Sequence, residues 1–169
     1  NTSGAKGIWW KTNNWAGQNS TDPGEDELYL MSTIGPLPRR SDDYGSPGSL
    51  TLNSDGTFAT KTGIIELGND ADGFTFSPPT SGVSFTVNNA TYGGMLTPGV
   101  QIYDPVAGVF VSGVTVTNTP TRATISTSSL TPGHSYRLVV TGSGQYGDLG
   151  QYTINGTATQ FVSYYAPTK

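Results

Sequence analysis

From Leu50 onward, apolar residues recur at every second position in short runs, and Gly, Pro, Asn or Asp closes each run. A period of two belongs to a strand with one buried face; a helix would repeat at three and four. The stretch from Ser49 to Leu67 reads as two strands about an Asp55-Gly56 turn. Phe74 and Phe76 share one face, as do Val83, Phe85 and Val87. Gly99 to Val111 reads as a strand, a turn over Asp104 to Gly108, and a second strand. Val114 to Thr119 and Thr121 to Leu130 read as strands or edge segments. A Pro132-Gly133 turn leads into alternating Tyr136, Leu138 and Val140. Gly147 and Gly150 then turn the chain into a closing run that carries Tyr152 and Ile154. This spacing predicts an all-β fold, a β-sandwich or jelly roll of about eight to ten short antiparallel strands.

Composition agrees with that pattern. Hydrophobic residues are 34% of the 169, with 23 Gly and 11 Pro, a profile of short strands and many turns. A disordered chain would be rich in charge and poor in aromatics, whereas charged residues are 12% here and aromatics 11%. The net charge is −4, with only eight Lys and Arg and no basic stripe, which argues against nucleic-acid binding. Without cysteine there is no disulfide or thiol chemistry. No run approaches the roughly 18 apolar residues of a membrane span. No signal peptide is visible and the first residue is Asn1, so a processed piece is expected. Abundant Ser, Thr, Asn and Gly with little lysine point to a secreted, extracellular or cell-surface protein.

The first forty residues differ. They hold Trp9, Trp10 and Trp15, then the acidic group Glu25, Asp26 and Glu27, for which a surface helical turn is expected. The apolar stretch Leu28 to Ile34 suits one or two helical turns, with Asp22 as cap and Pro23 in first position. The chain thus divides into an irregular tryptophan-bearing extension or linker (1–40), a sandwich (41–160) and a tail or last strand (161–169).

Several motifs resemble the bacterial pre-peptidase C-terminal domain. That family pairs a glycine and an apolar strand with Asp-x-Asp and an aromatic-x-Phe strand; Gly63, Ile64, Ile65, Asp70, Asp72, Phe74 and Phe76 stand in those places. The hairpin Val100 to Val111, the Pro132-Gly133 strand and the run Tyr146 to Thr157 follow in the family's order, so the likeness covers about Ser41 to Ala158. The segment from Trp9 to Ser46 is similar to the one joining a secreted reprolysin-like zinc peptidase to such a domain, with Tyr44 where histidine is common. No His-Glu-x-x-His occurs, and His134 is the only histidine. The resemblance therefore implies an accessory domain, with any peptidase domain upstream.

Four acids are candidate calcium ligands, Asp42, Asp43, Asp70 and Asp72, since hard oxygen donors suit that ion. Related collagenase domains use linker and loop carboxylates in this way, which the resemblance extends to these positions. The competing expectation is that Asp72 accepts backbone hydrogen bonds within its own turn and the others are solvated. Trp9, Trp10, Trp15 and Tyr44 are candidate sugar-stacking residues, because the CH-rich face of a sugar packs on an aromatic ring. Tyr136 and Tyr152 are expected in the core instead. His134, in its turn, is expected as surface decoration rather than as a catalytic base, and no catalytic residue is assigned. Asn1, Asn19, Asn89 and Asn155 head Asn-x-Ser/Thr sequons and are candidate N-glycosylation sites. The expected function is a non-catalytic accessory or binding domain of a secreted protein, cleaved from or anchoring a hydrolase. One alternative is a carbohydrate-binding module whose partner is polysaccharide or extracellular matrix. The other is a self-assembling subunit of an extracellular filament or surface layer.

Overall fold

The computed structural model describes residues 44–145 and 148–159, and the backbone of two short segments nearer the start. Those segments are β1 (Lys11–Thr12) and β2 (Glu25–Asp26), paired antiparallel with Lys11 opposite Asp26. Glu25 and Asp26 thus lie in a strand, not in the helical turn expected of an acidic group. A helical turn has a costly nucleus, and here cross-strand pairing supplies the backbone partners instead. The expected helical turns over Leu28 to Ile34 and the segment 161–169 lie outside the described residues.

Ten further strands build the expected all-β sandwich. They are β3 (Gly48–Ser49), β4 (Thr57–Ile65), β5 (Ala71–Phe76), β6 (Val83–Asn89), β7 (Gly99–Asp104) and β8 (Val109–Phe110), then β9 (Thr115–Thr119), β10 (Arg122–Thr127), β11 (Tyr136–Thr141) and β12 (Gly150–Ala158). One sheet has the order β4-β12-β6-β10-β9 and the other β3-β5-β11-β7-β8. Pairing is antiparallel except between β3 and β5, which run parallel, a departure from the expected antiparallel set. The chain crosses between sheets after β3, β4, β5, β6, β8, β10 and β11, so most connections pass over an end of the sandwich.

The period-two residues become the core. Phe74, Phe76, Val83, Phe85, Val87, Leu138, Val140, Tyr152 and Ile154 are all buried between the sheets. Phe76 has its ring centroid 4.9 Å from Phe85, and Phe58 lies 4.9 Å from Phe85 and 6.0 Å from Phe76. Edge-on and tilted rings at these distances add to the burial of each ring, itself worth about 1.5–3 kcal/mol. Both tyrosines expected in the core are there, Tyr136 and Tyr152.

One end of the sandwich carries the crossover 66–70, the loop 90–98 and the loop that leads to Asp148. Asp148 is buried, and its carboxylate accepts the backbone N–H of Thr97 with one oxygen and that of Ser143 with the other. A single side chain therefore ties two loops together at this end.

Candidate functional site

The strand β4 ends at Ile65, and the crossover begins with Glu66. The carbonyl of Leu67 accepts the Asp70 N–H at 3.1 Å, and Asp70 Oδ2 accepts the Glu66 N–H at 3.0 Å. These two bonds close the turn that delivers the chain to the second sheet. Two residues later Asp72 lies in β5 on the same face as Phe74 and Phe76, which is the inner face. It is 1% exposed.

Asp72, expected to accept bonds within its own turn, stands inside a strand. Its Oδ2 accepts a hydrogen bond from the Tyr152 hydroxyl, which comes from the opposite sheet. The glycine opposite Tyr152 in the ladder, Gly63, makes this reach feasible, because a methyl group there would overlap the Tyr152 hydroxyl and lie 2.9 Å from Asp72 Oδ2. Gly63, Asp72 and Tyr152 are one interlocking unit, far apart in sequence and joined across the sandwich.

Glu66, Asp70 and Asp72 offer carboxylate oxygens that all lie within 4.8 Å of one another. That separation is the span of two oxygens on opposite sides of a calcium ion at about 2.4 Å. Calcium takes six to eight oxygens, so three carboxylates, one oxygen each, supply half of them at most, and two of the three also serve the fold. Asp70 and Asp72, both expected as ligands, are thus brought together. Asp42 and Asp43 lie outside the described residues. Glu66 was not foreseen, although it stands at even spacing from Asp70 and Asp72 at a strand's end.

At the opposite end, His134 Nε2 lies 3.0 Å from Asp104 Oδ1, and its ring packs on Tyr136 at 4.7 Å. His134 is therefore not mere surface decoration; its imidazole is 28% exposed and braces the turn after β7. Asp104 Oδ1 also accepts the N–H groups of Val106 and Ala107 at 2.9 and 3.0 Å. The Ala107 amide first, and His134 second, hold the Asp104 carboxyl below the ordinary carboxylate value. Asp55 is held low in the same way by the hydroxyl and amide of Thr57.

The remaining expected site residues separate. Trp9, Trp10, Trp15, Asn1 and Asn19 lie outside the described residues. Tyr44 carries the Arg137 guanidinium over its ring at 5.0 Å, and its carbonyl accepts from Arg137 Nη1 at 3.2 Å. The two described sequons differ sharply. Asn89 is half-buried and its Nδ2 donates to the Leu96 carbonyl at 3.0 Å, so a glycan on that nitrogen would crowd a bond of the fold. Asn155 is exposed, and its Oδ1 accepts from the Thr60 hydroxyl at 2.9 Å, which leaves its amide nitrogen outward. Among protein-family models none matches this chain, and no curated protein matches it.

Proposed function

We propose that the chain is a non-catalytic accessory or binding domain of a secreted protein, a rigid β-sandwich that accompanies or anchors a hydrolase. One observation carries the reading: all five aspartates of residues 44–145 and 148–159 accept hydrogen bonds from the fold itself. Asp55 and Asp104 hold turns, Asp70 closes the crossover, Asp72 locks the two sheets together and Asp148 ties two loops. Carboxylates spent in this way build a scaffold, and a scaffold's contacts are made by its surfaces and loops. The resemblance to the pre-peptidase C-terminal domain supports the same reading, since Gly63, Asp72 and Tyr152 among its landmarks form the interlock. A panel of peptide, glycoside and ester substrates tests it on the purified chain. Turnover that copurifies with the chain and disappears in His134→Ala would overturn the reading; turnover at the blank rate is expected.

Calcium belongs to this reading as a fold-stabilising ion at Glu66, Asp70 and Asp72. A melt in calcium and in chelator decides it: the midpoint rises with the ion, and identical midpoints remove the metal from the proposal.

Self-assembly through a sheet edge is a second reading, favoured by a contrast between the two edges of one sheet. On the β4 edge the start is covered by Thr51 and Asn53, whose backbones bond Ala59 and Thr57, and the exposed Lys61 reaches Gly48 of the other sheet with its stem. A lysine on an edge strand is a device that discourages strand addition. The other edge, β9, reads Thr-Val-Thr-Asn-Thr, is exposed along most of its length and carries no charge. Sedimentation of the intact chain across a hundredfold range of concentration tests this. Association that Val116→Lys abolishes supports it, and a monomer throughout removes it.

A further inference from the structure

The outer face of the sheet β4-β12-β6-β10-β9 is mostly hydroxyls and amides, with Ile64 on β4 and Arg122 on β10 among the exceptions. Across β12 and β6, Asn155 stands opposite Thr86, Thr157 opposite Ser84 and Thr153 opposite Asn88. The β12–β4 ladder carries an irregularity in the middle: Ile154 is opposite Lys61 and Gly156 opposite Phe58, so Asn155 alone faces both Ala59 and Thr60. An extra residue bends its strand away from its partner. A groove of about 420 Å³ opens there, and its polar lining includes Thr57, Thr60, Ser84, Thr86, Asn155 and Thr157. A second groove of about 240 Å³ lies further along the same two strands, beside Thr62, Gln151 and Thr153. Together they follow β12 from Gln151 to Thr157, about 20 Å at the rise of a strand.

Neither groove has a charged residue in its lining. Lys61, which sits between them in sequence, directs its stem to Gly48 and the other sheet. The polar groups are nonetheless well defined. Thr60 donates to Asn155 Oδ1, which fixes the Asn155 amide as an outward donor. Asn53 donates to Thr57, whose own hydroxyl donates to Asp55, so that corner is fixed too. Along β12 backbone groups are not on offer, because it is paired on both sides, with β4 and with β6. That disfavours an extended peptide on the face of the seam; a peptide would add instead along the outer edge of β4. A ligand here must be long, uncharged and able to exchange many hydroxyl hydrogen bonds.

We propose that this seam between β4 and β12 binds a neutral, unbranched polysaccharide chain. The proposal rests on the binding-domain reading and gives that reading its ligand class. It places the contact on the sheet face rather than on the tryptophans of the first forty residues. The affinity is modest, since the seam offers hydrogen bonds without an exposed aromatic platform.

The test uses the intact chain made in a host that adds no glycan, run in native gels cast with neutral polysaccharides (a mixed-linkage glucan, a xylan, a glucomannan) and with a polyuronate as charged control. Retardation by at least one neutral polymer is expected, with none by the polyuronate. Asn155→Ala weakens it about tenfold, as loss of a single fixed donor would. Thr86→Glu abolishes it, and Thr117→Ala, on the distant strand β9, leaves it unchanged. Backbone amide shifts of the unaltered chain on adding an oligosaccharide of the retarding polymer fall on Gln151–Thr157 and Thr57–Thr62, a readout that needs no variant to fold. Retardation by no neutral polymer overturns the proposal, as does stronger retardation by the polyuronate. If a polymer is bound but both seam variants bind it equally, the seam is wrong while the binding-domain reading survives. Catalytic turnover of any polymer would instead remove that reading.

Discussion

A carboxylate on the inner face of a β-sandwich is tolerated only when another group meets it, because an unanswered buried charge is far more costly than any one core contact. Asp72 is met by the Tyr152 hydroxyl, and Gly63 clears the space for it. Tyr152→Phe keeps the ring against Phe74, 6.3 Å away, and removes only the donor. It is expected to cost about 1–3 kcal/mol in urea unfolding. A loss under about 0.5 kcal/mol would show that the bond is incidental. Gly63→Ala acts on the same unit from the other side and is expected to cost at least as much. Asp104 makes a pH prediction. Its folded pKa is lowered by the Ala107 amide and then by His134, so the folded state binds this proton less readily than the unfolded chain. Its contribution is therefore present above the ordinary value of 3.8 and is lost as pH falls through the lower folded value. A carboxyl NMR titration of the folded chain is expected to place the Asp104 midpoint below 3.8. A midpoint at or above that value contradicts the geometry.

Among the elements, β12 does the most varied work. It pairs with β4 and β6, supplies Tyr152 and Ile154 to the core, and lays Asn155 and Thr157 along the outer seam. Gly156 shows how tightly these roles are linked. A methyl group there would overlap the Phe85 ring and lie 3.2 Å from Phe58, so the strand can sit over those rings only with glycine. Gly156→Ala is expected to destabilise by about 1–3 kcal/mol, the usual cost of overpacking. A neutral or stabilising effect in thermal melts would mean that the rings give way freely. Much of this element was legible in the sequence, since Tyr152 and Ile154 alternate and Gly150 turns the chain into them. The inner faces of β5, β6 and β11 were legible for the same reason: alternation is a local signal and burial follows it. What could not be seen locally was pairing over distance. The bond between Asp72 and Tyr152 spans 80 residues, and the Thr60–Asn155 bond spans 95. Asp72 beside Asp70 therefore read as a loop acid, and only its even spacing from Phe74 and Phe76 hinted that it faces inward. The acidic group at Glu25 and Asp26 failed as a helix signal because strand pairing with Lys11 and Thr12 is set by partners, not by local charge. The seam escaped notice because it is written in Thr, Ser and Asn, residues that a solvent-facing strand position accepts without any function.

At the scale of the whole molecule, the core has a definite extent along the chain. Its buried cluster begins at Leu50 and ends at Ala158, with Leu52, Val111 and Val114 packed against it. The last backbone bonds that close it are Ala158 N–H to Gly56 and Thr159 N–H to Gly82, both at the end of the sandwich where β12 finishes. Near the start, Tyr44 contributes its ring and carbonyl to Arg137 on β11, and Leu50 N–H donates to Thr75 at 2.8 Å. Stability of a domain comes mainly from the burial of one shared core, and every described contributor to this core lies between those limits. A chain of residues 44–159 is therefore expected to fold alone, to unfold in one cooperative transition, and to melt within about 5 °C of the whole protein. At this size about 1 kcal/mol moves the midpoint by a few degrees, so the comparison resolves a contribution of a few kcal/mol from residues 1–43 or 160–169. A shorter chain beginning at residue 50 loses the Tyr44 platform and the parallel pairing of β3 with β5, and is expected to melt lower than 44–159. If 44–159 fails to fold while the whole chain does, the core needs surface supplied by the first forty residues, and the division between extension and sandwich would have to be redrawn.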